Sequence, residues 1–478
     1  MRSGAEVALP GPAPRPLDAH PLDAHPLDAR PLDARTRALL EGPVLPTLLR
    51  LAAPNVLVMV AQAGAGLIET YFVGKLGTDA LAGMALVFPV VMLMQMLSAG
   101  AIGGGIASAV ARALGGGRRA DADALAQHSI GIALGFGLGF TLAALLGGRW
   151  LYARLGGAGA SLDAALTYSH LVFAGAVLVW LFNALASVVR GTGNMALPAW
   201  VMSLGTLLLV PLSPLLIFGW GPVPGFGIAG GALALLLYYA LGTLALALYL
   251  RSRRSLLRPF SAPWTFRPAL CADILGVGLT GAVSTLATNL TIAIGTGLVG
   301  AFGPAAIAGY GTASRLEYLL VPLVFGLGGP LVAMVGTCLG AGQRERALRA
   351  AWAGAALAAG LTELVGLAAA LFPRAWLSLF DTDPAMLDAG TLYLRWVGPF
   401  YGFFGLALVL YFASQGAGRL RWPIIGNLLR LGVASLGGWV ALQTGAGLGG
   451  VFAAQALALV VYGAVVAGAV ARGAWFRG

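Results

Sequence analysis

Charged residues are scarce in this chain of 478 residues, at 10% of the total, against roughly a quarter in an average soluble domain. Cysteine and histidine are scarce too, with two and four residues. So few charges cannot cover the surface of a soluble protein of this length. Two cysteines are too few for a disulfide framework or a zinc site. These shortages exclude a soluble domain, a disulfide scaffold and a metal centre built from Cys and His.

Long apolar stretches make up most of what is present. Hydrophobic residues are 59% of the chain, and the mean hydropathy is +0.86. Stretches such as 130–146, 171–189 and 229–250 are each about long enough to cross a bilayer core as a helix. The alternation of polar and apolar positions that indicates a membrane β-barrel is absent. The sequence therefore predicts an all-α integral membrane protein with twelve transmembrane helices.

An internal repeat of about 225 residues organises these helices. The stretch Val73–Gly83 returns as Val299–Gly309, and Arg190–Pro198 returns as Gln415–Pro423, with shorter matches between them in the same order. Each repeat holds six predicted spans, an even number, so both repeats begin on the same side of the membrane. We therefore expect two parallel six-helix repeats, related by an axis along the membrane normal and forming a two-lobe bundle.

The predicted segments follow from the repeat and from composition. Residues 16–35 are four copies of a five-residue unit with a proline in each, which cannot sustain a helix. The segment 36–50 is expected to lie along the membrane interface before a first span at 51–74. The predicted domains are a disordered tail at 1–35, an N-terminal lobe at 36–250, a cytoplasmic connector at 251–268, a C-terminal lobe at 269–472 and a tail at 473–478.

Basic residues predict the topology, because cytoplasmic loops carry an excess of Arg and Lys. Placing both termini in the cytoplasm puts most of the 29 basic residues in cytoplasmic segments, including five arginines between 251 and 267. The net charge of +11 is therefore explained by membrane topology, and no nucleic-acid partner is expected. We predict a multi-pass protein of the plasma membrane, the inner membrane of a bacterium, which acts as a monomer.

Three acidic residues, Glu69, Glu317 and Glu363, fall well inside predicted spans. A charge at that depth is costly, and a proton removes much of the cost, so such carboxyl groups are natural proton carriers. Glu69 corresponds to Gly295 in the second repeat, so only the first repeat carries this acid. A purely architectural residue is expected in both repeats. We therefore interpret Glu69 as a cation-coupling residue, with a polar packing role as the alternative.

Each of the other polar residues of the spans can have either a structural role or a role in lining a cavity. Glu317 lies two positions after Arg315, so the two can neutralise each other or face a cavity. Arg430 is a cation whose partner can be Glu317 or Glu363. Amides commonly pin membrane helices together, although they also line cavities. The remaining cavity candidates are Gln62 and Asn289. No pattern of an enzyme, a metal site or a cofactor site is present.

Several short motifs together resemble the multidrug and toxic compound extrusion (MATE) family over residues from about 40 to 472. They include the acid followed by Val-Gly-x-Leu-Gly at 69–77, Leu-Gly-Gly-Gly at 114–117, Arg-Gly-Thr-Gly at 190–193 and Ser-Arg-Leu-Glu at 314–317. The resemblance implies two six-helix lobes in a V with a cavity between them. It also implies export of organic cations in exchange for protons or sodium.

The resemblance assigns roles only in part. Glu69 occupies the position of the family's first-helix acid, and Asn183 resembles an amide position on the fourth helix. Leu209 and Ser213 stand where the proton-coupled branch has an asparagine and an aspartate. The coupling residues are therefore predicted to be Glu69, Asn183 and Ser213. Protons are favoured over sodium, because sodium needs several oxygen ligands.

Two other functions stay open. A flippase for lipid-linked sugar precursors belongs to the same superfamily, but it needs several cations in the cavity, and only Arg315, Arg395 and Arg430 lie within spans. A passive channel gives no reason for a carboxyl group in one lobe only. The leading prediction is a secondary antiporter that exports amphipathic, cationic organic compounds by alternating access.

Overall fold

The fold is built almost wholly of helices. A computed structural model describes residues 33–261 and 263–476, and of residues 60–63, 318, 319 and 322 it describes only the backbone. Within this part, the only strand-like pairing is a single bridge between Trp220 and Val223. Eleven helical segments are each long and apolar enough to cross a bilayer, and the bent pair at 159–191 makes a twelfth. The predicted all-α fold with twelve spans is confirmed.

The helices of the first repeat follow the predicted order. They are α1 Ala34–Glu41, α2 Val44–Gly74, α3 Thr78–Gln95, a π-helical segment Met96–Ile102, α4 Gly103–Gly115, α5 Arg119–Arg154, α6 Gly159–Ala174, α7 Ala176–Gly191, α8 Ala196–Phe218 and α9 Ile228–Arg251. Helix α2 begins at Val44, seven residues before the predicted start of the first span, so the segment predicted to lie along the interface is divided between α1 and α2. The cause is local: Gly42 and Pro43 separate the two helices, and the sequence from Val44 onward contains enough apolar residues to extend the span.

The helices of the second repeat have matching limits. They are α10 Pro268–Gly300, α11 Pro304–Gly340, α12 Arg344–Leu371, α13 Pro373–Leu377, α14 Pro384–Val397, a 3₁₀ turn Gly398–Phe400, α15 Tyr401–Gly416, α16 Arg421–Gln443 and α17 Gly447–Ala471. Residues 1–32 of the predicted tail lie outside the described residues.

Glycines with left-handed backbone angles mark the same turns in both repeats. Gly117 has φ 73° and its counterpart Gly342 has φ 76°, each just after a span. Gly193 and Gly418 form a second pair, with φ 78° and 71°. A side chain at such an angle is strained, so glycine is needed at both copies. The repeat therefore extends from the sequence to the backbone conformation of the turns.

Both repeats break one span at the same point. Helices α6 and α7 are bent by 46° at Gly175, and α14 and α15 are separated by the 3₁₀ turn at Gly398–Phe400. Pro399 in that turn has no backbone N–H, so it cannot continue the helical hydrogen bonds. At the start of α15, Tyr401 N–H bonds to the Gly398 carbonyl oxygen within the turn, and the next donor, Gly402 N–H, needs an acceptor from outside the span.

Helix α1 and the end of α17 lie at the same end of the bundle, and we call it the terminal end. Residues 251–267 pack there against the start of α5: Asp123 accepts a hydrogen bond from Arg258 N at 2.6 Å, and Asp121 pairs with Arg267 at 2.8 Å. Near the C-terminus, Trp475 Nε1 donates to Ser414 Oγ at 3.0 Å. The connector and the described part of the last segment are therefore held against the helices.

The lobes meet at the terminal end through two equivalent glycine contacts. A Cβ atom at Gly115 would lie 2.0 Å from the carbonyl oxygen of Thr337, and one at Gly340 would lie 2.1 Å from that of Arg112. Thr337 is the repeat counterpart of Arg112, as Gly340 is of Gly115. This exchange of equivalent residues is what a twofold relation between parallel repeats requires.

Polar contacts also join the lobes near the terminal end. Arg112 Nη2 pairs with Asp273 Oδ1 at 2.5 Å, and Ser108 Oγ donates to the Gln415 carbonyl oxygen at 2.5 Å. Asn55 Nδ2 of α2 donates to the Phe325 carbonyl oxygen of α11 at 3.0 Å. These three contacts all cross between the lobes, so they hold the terminal end closed.

Candidate functional site

A narrow pocket surrounds Glu69 inside the N-terminal lobe. It is formed by α2, α8 and α9. Gly231 of α9 leaves room for the acid, since a Cβ atom there would lie 3.2 Å from Val73 and 3.8 Å from Glu69 Oε1. The lining residues are Ala65, Ile68, Glu69, Leu209, Ser213, Gly231, Ala234 and Leu235. Glu69 therefore points into its own lobe.

The hydroxyl group of Tyr168 on α6 donates a hydrogen bond to Glu69 Oε1. Tyr168 itself is buried. Within the described part of the chain, no basic side chain forms an ion pair with Glu69. A carboxyl group held by a phenol in an apolar pocket can exchange a proton without breaking a salt bridge, which is the chemistry that proton coupling needs.

Ser213 lines the same pocket as Glu69. Its side chain is buried, and its hydroxyl group has no hydrogen-bond partner among the described residues. Leu209, one helical turn earlier, lines the pocket as well. The two positions that depart from the proton-coupled pattern therefore do lie beside the acid.

Asn183 lies in a different polar cluster, where α7 meets the π-helical segment. Its Nδ2 donates to Ser98 Oγ at 2.9 Å and to Gln95 Oε1 at 3.2 Å. Gln95 Nε2 in turn donates to the hydroxyl group of Tyr239 on α9. The described contacts of Asn183 link three helices and include none with Glu69. The structure does not bring these two predicted coupling residues together.

Glu317 forms the equivalent kind of pair in the C-terminal lobe. The hydroxyl group of Tyr393 on α14 donates a hydrogen bond to Glu317 Oε1. Tyr401, at the start of α15, lies close enough to interact with the Glu317 charge. Each lobe therefore holds one carboxyl group against a buried tyrosine.

Arg315 does not neutralise Glu317. Its guanidinium group lies over the ring of Phe380, 5.5 Å from the centroid, and the residue is exposed. Residues two positions apart on a helix point to different faces, which explains why the pairing is wrong. Arg395 is exposed too. Of the three arginines on which the flippase alternative depends, Arg430 alone is buried.

Glu363 of α12 accepts a hydrogen bond at the start of α15, just after the break in that span. Its Oε2 accepts a hydrogen bond from the backbone N–H of Gly402 at 2.7 Å. Gly402 is the second residue of α15, whose first N–H groups have no partner within the helix. A carboxylate at a helix N-terminus also interacts favourably with the helix dipole. Glu363 is therefore a cap for α15.

The remaining amide candidates differ in their surroundings. Asn289 is exposed and donates to the Thr285 carbonyl oxygen of its own helix at 2.9 Å. Asn427 is buried, and its Nδ2 lies 2.8 Å from the Ser284 carbonyl oxygen and 3.0 Å from Thr288 Oγ1. Asn427 therefore pins α16 to α10. The side chain of Gln62 lies outside the described residues.

Arg430 has no acidic partner in the described part of the chain, so pairing with Glu317 or Glu363 is wrong. Its guanidinium carbon lies 5.7 Å from the ring centroid of Phe404 and 5.9 Å from that of Tyr462. These rings belong to α15 and α17. Arg430 is thus enclosed between three helices of the C-terminal lobe.

Sequence reasoning missed both tyrosines. Tyr168 and Tyr393 stand at equivalent positions of the two repeats, and each contacts the acid of its lobe. The signal was present in the sequence, because a polar side chain kept in both copies of a membrane repeat points to a shared role. The two acids gave no such signal, since each belongs to one repeat only.

A family comparison covers most of both repeats. The MatE family model matches residues 54–215 and 282–440. The match therefore begins near Pro54, includes Glu69 and Asn183, and resumes within α10. It spans the parts of both repeats in which the acid–tyrosine pairs lie.

Two curated relatives are similar along most of their length. The protein named "Probable multidrug resistance protein NorM" of Deinococcus radiodurans is 30% identical over 85% of this chain and 90% of its own. The protein named "FAD transporter" of Shewanella oneidensis is 28% identical over 82% of this chain and 87% of its own. These similarities extend over both lobes.

Solved structures agree in fold. A MOP superfamily transporter from Pyrococcus furiosus superimposes with a TM-score of 0.84 at 24% identity, covering 94% of this chain and all of its own. A MATE crystal structure in the bent conformation gives a TM-score of 0.86 at 24% identity, covering 93% of this chain and 99% of its own. At this identity the likeness concerns the fold alone.

Proposed function

Because the chain belongs to the MatE family of multidrug efflux transporters, we propose that it is a secondary antiporter. It exports amphipathic organic compounds, with organic cations as the expected class, and takes up protons in exchange. Both termini face the cytoplasm. The observation that carries the proposal is the pocket of Glu69, which holds one carboxyl group against Tyr168 inside a duplicated bundle.

The mechanism follows from the pocket and from the closed terminal end. With the lobes joined at that end, Glu69 takes up a proton from the opposite side of the membrane. Protonation alters its hydrogen bond with Tyr168 and therefore the packing of α2 against α6 and α8. Since α2 also carries Asn55, which bonds α11, a shift of α2 reaches the contact between the lobes. Substrate release and reopening toward the cytoplasm follow from this coupling.

The energy of the exchange is sufficient for efflux. One proton that moves down a potential of about 100 mV releases about 2.3 kcal/mol. At about 1.4 kcal/mol per tenfold, this sustains a substrate gradient of roughly fortyfold to fiftyfold. A sodium ion would deliver the same electrical energy but needs several oxygen ligands, and the pocket offers one carboxyl group and the hydroxyl groups of Tyr168 and Ser213. This composition supports protons as the coupling ion.

A flavin nucleotide is the second candidate substrate, because the Shewanella oneidensis relative is named as an FAD transporter.

Transport measurements in membrane vesicles with imposed ion gradients test the antiport proposal. A pH gradient alone is expected to drive uptake of ethidium into inverted vesicles, and a sodium gradient at equal pH is expected to have no effect. Dissipation of a preformed ethidium gradient that is indifferent to both ions would instead indicate a channel.

A further inference from the structure

Arg430 is a buried cation in the middle of a membrane span. It lies nine residues after the start of α16 at Arg421, and only 7% of its surface is exposed. Its neighbours across the lobe are the rings of Phe404 and Tyr462. A charged side chain at such a depth is costly and as a rule marks a functional pathway or site.

The charge of Arg430 is uncompensated within residues 33–261 and 263–476. No acidic side chain of this part forms an ion pair with it. Its contacts there are with the two aromatic rings, and a guanidinium group carries five N–H donors that rings satisfy poorly. Every acid of the spans is already occupied elsewhere: Glu69 and Glu317 by tyrosines, and Glu363 by the start of α15.

The turn of α16 before Arg430 is fixed to α10. Asn427, one turn earlier on α16, is fixed to Ser284 and Thr288 of α10. Asn427 Oδ1 is buried and has no hydrogen-bond partner among the described residues. A buried cation that has no acidic partner among the described residues and is flanked by aromatic rings is suited to a ligand that combines an anionic group with a flat ring system.

We propose that Arg430 binds the anionic group of an aromatic substrate, a phosphate or a carboxylate, while Phe404 and Tyr462 contact its apolar part. The planar guanidinium fork matches both groups in geometry. This assignment rests on the proposed export of amphipathic compounds and extends the substrate class to anionic and zwitterionic molecules. Binding by Arg430 does not require the proton coupling of Glu69.

Two ligand pairs test the proposal by differing in one anionic group. Flavin mononucleotide and riboflavin differ by a phosphate, and coumarin-3-carboxylic acid and its ethyl ester differ by a carboxylate charge. Binding to the full chain in detergent is measured for the wild type, Arg430→Gln, Arg430→Lys and Arg315→Gln. Arg315 is the matched control, because it carries the same charge in the same lobe on an exposed surface.

The wild type is expected to bind the anionic ligand of at least one pair more tightly than the neutral ligand. The pair that shows this preference identifies the anionic group that Arg430 binds. Arg430→Gln is expected to weaken binding of that acid by about tenfold to a hundredfold and to leave its neutral partner unchanged. Arg430→Lys keeps the charge without the fork and is expected to retain part of the preference. Arg315→Gln is expected to behave as the wild type.

Three results would overturn the proposal. In the first, the wild type binds neither anionic ligand more tightly than its neutral partner. In the second, Arg430→Gln weakens binding of both members of a pair equally. In the third, Arg315→Gln and Arg430→Gln weaken binding of the anionic ligand to the same extent. Thermal unfolding separates a binding defect from misfolding, since removing an unpaired buried charge is not expected to destabilise the protein. If the protein binds the anionic ligand but shows no proton-driven transport, the antiport mechanism is refuted and the assignment of Arg430 is not.

Discussion

Tyr168 and Tyr393 occupy equivalent positions in the two repeats, and the hydroxyl group of each donates a hydrogen bond to a carboxyl group of its own lobe. The acids are not equivalent: Glu69 lies on the first span of its repeat, and Glu317 lies on the second span of the other. The repeat counterpart of Glu69 is Gly295, and the stretch that corresponds to Glu317 contains Val91 and Met92 and no acid. The duplicated feature is therefore the tyrosine, and each lobe reaches it with an acid from a different helix.

Tyr168→Phe is expected to slow proton-driven efflux by about tenfold. The change removes the hydroxyl group that holds Glu69, and a hydrogen bond to a charged group contributes about 1.5–3 kcal/mol. The ring still fills the same space, so folding should be preserved. Initial rates of ethidium transport in vesicles measure the effect. Tyr393→Phe is the matched control, and equal slowing by both variants would argue against a special role for the N-terminal pair.

Gly115→Ala is expected to prevent closure of the terminal end. The added Cβ atom would lie 2.0 Å from the Thr337 carbonyl oxygen across the lobe contact, and overpacking of this kind costs about 1–3 kcal/mol. Spin labels at Arg118→Cys and Arg344→Cys, in a background without native cysteines, should report a longer distance between the lobes. Gly131→Ala is the control, because a Cβ atom there meets nothing within 4 Å. Unchanged distances in Gly115→Ala would refute the closed contact.

Glu363→Ala is expected to lower stability without abolishing coupling. The change removes the acceptor for Gly402 N–H at the start of α15, and loss of such a cap costs about 1 kcal/mol. Glu363→Gln keeps an acceptor and should lose less. Thermal unfolding in detergent gives the comparison, with Asn289→Ala as a control, since that amide is exposed and bonds only its own helix among the described residues. A wild-type unfolding temperature for Glu363→Ala would show that the cap contributes nothing.

The fold could be predicted because its signals are local or periodic. The lengths of the spans follow from the apolar stretches. The parallel orientation of the two repeats follows from the even number of spans in each. The apolar stretch 229–250 agrees to within one residue at each end with α9, Ile228–Arg251. Helix α2 begins at Val44, seven residues before the predicted start of the first span, because Gly42 and Pro43 end the preceding helix and the sequence after them is apolar. A hydropathy pattern indicates the apolar stretch but does not mark such a helix start.

The site could be predicted only in part, for a related reason. Glu69, which was identified as a lone acid in a span, and Ser213, which was identified only through the family resemblance, line one pocket. The partners of the other charges depend on which helix faces meet. Glu363 caps a helix whose break at Pro399 was not foreseen, and Arg430 faces aromatic rings where a carboxylate was expected. A sequence identifies buried charges more readily than it identifies what they contact.

The coupling role of Glu69 is the central claim, and one comparison tests it most directly. Glu69→Gln and Glu317→Gln remove the same charge from equivalent tyrosine pairs, so each serves as the structural control of the other. In vesicles with an imposed pH gradient, Glu69→Gln is expected to abolish proton-driven ethidium transport, whereas Glu317→Gln is expected to retain it. Transport by Glu69→Gln at the parental rate would contradict the account.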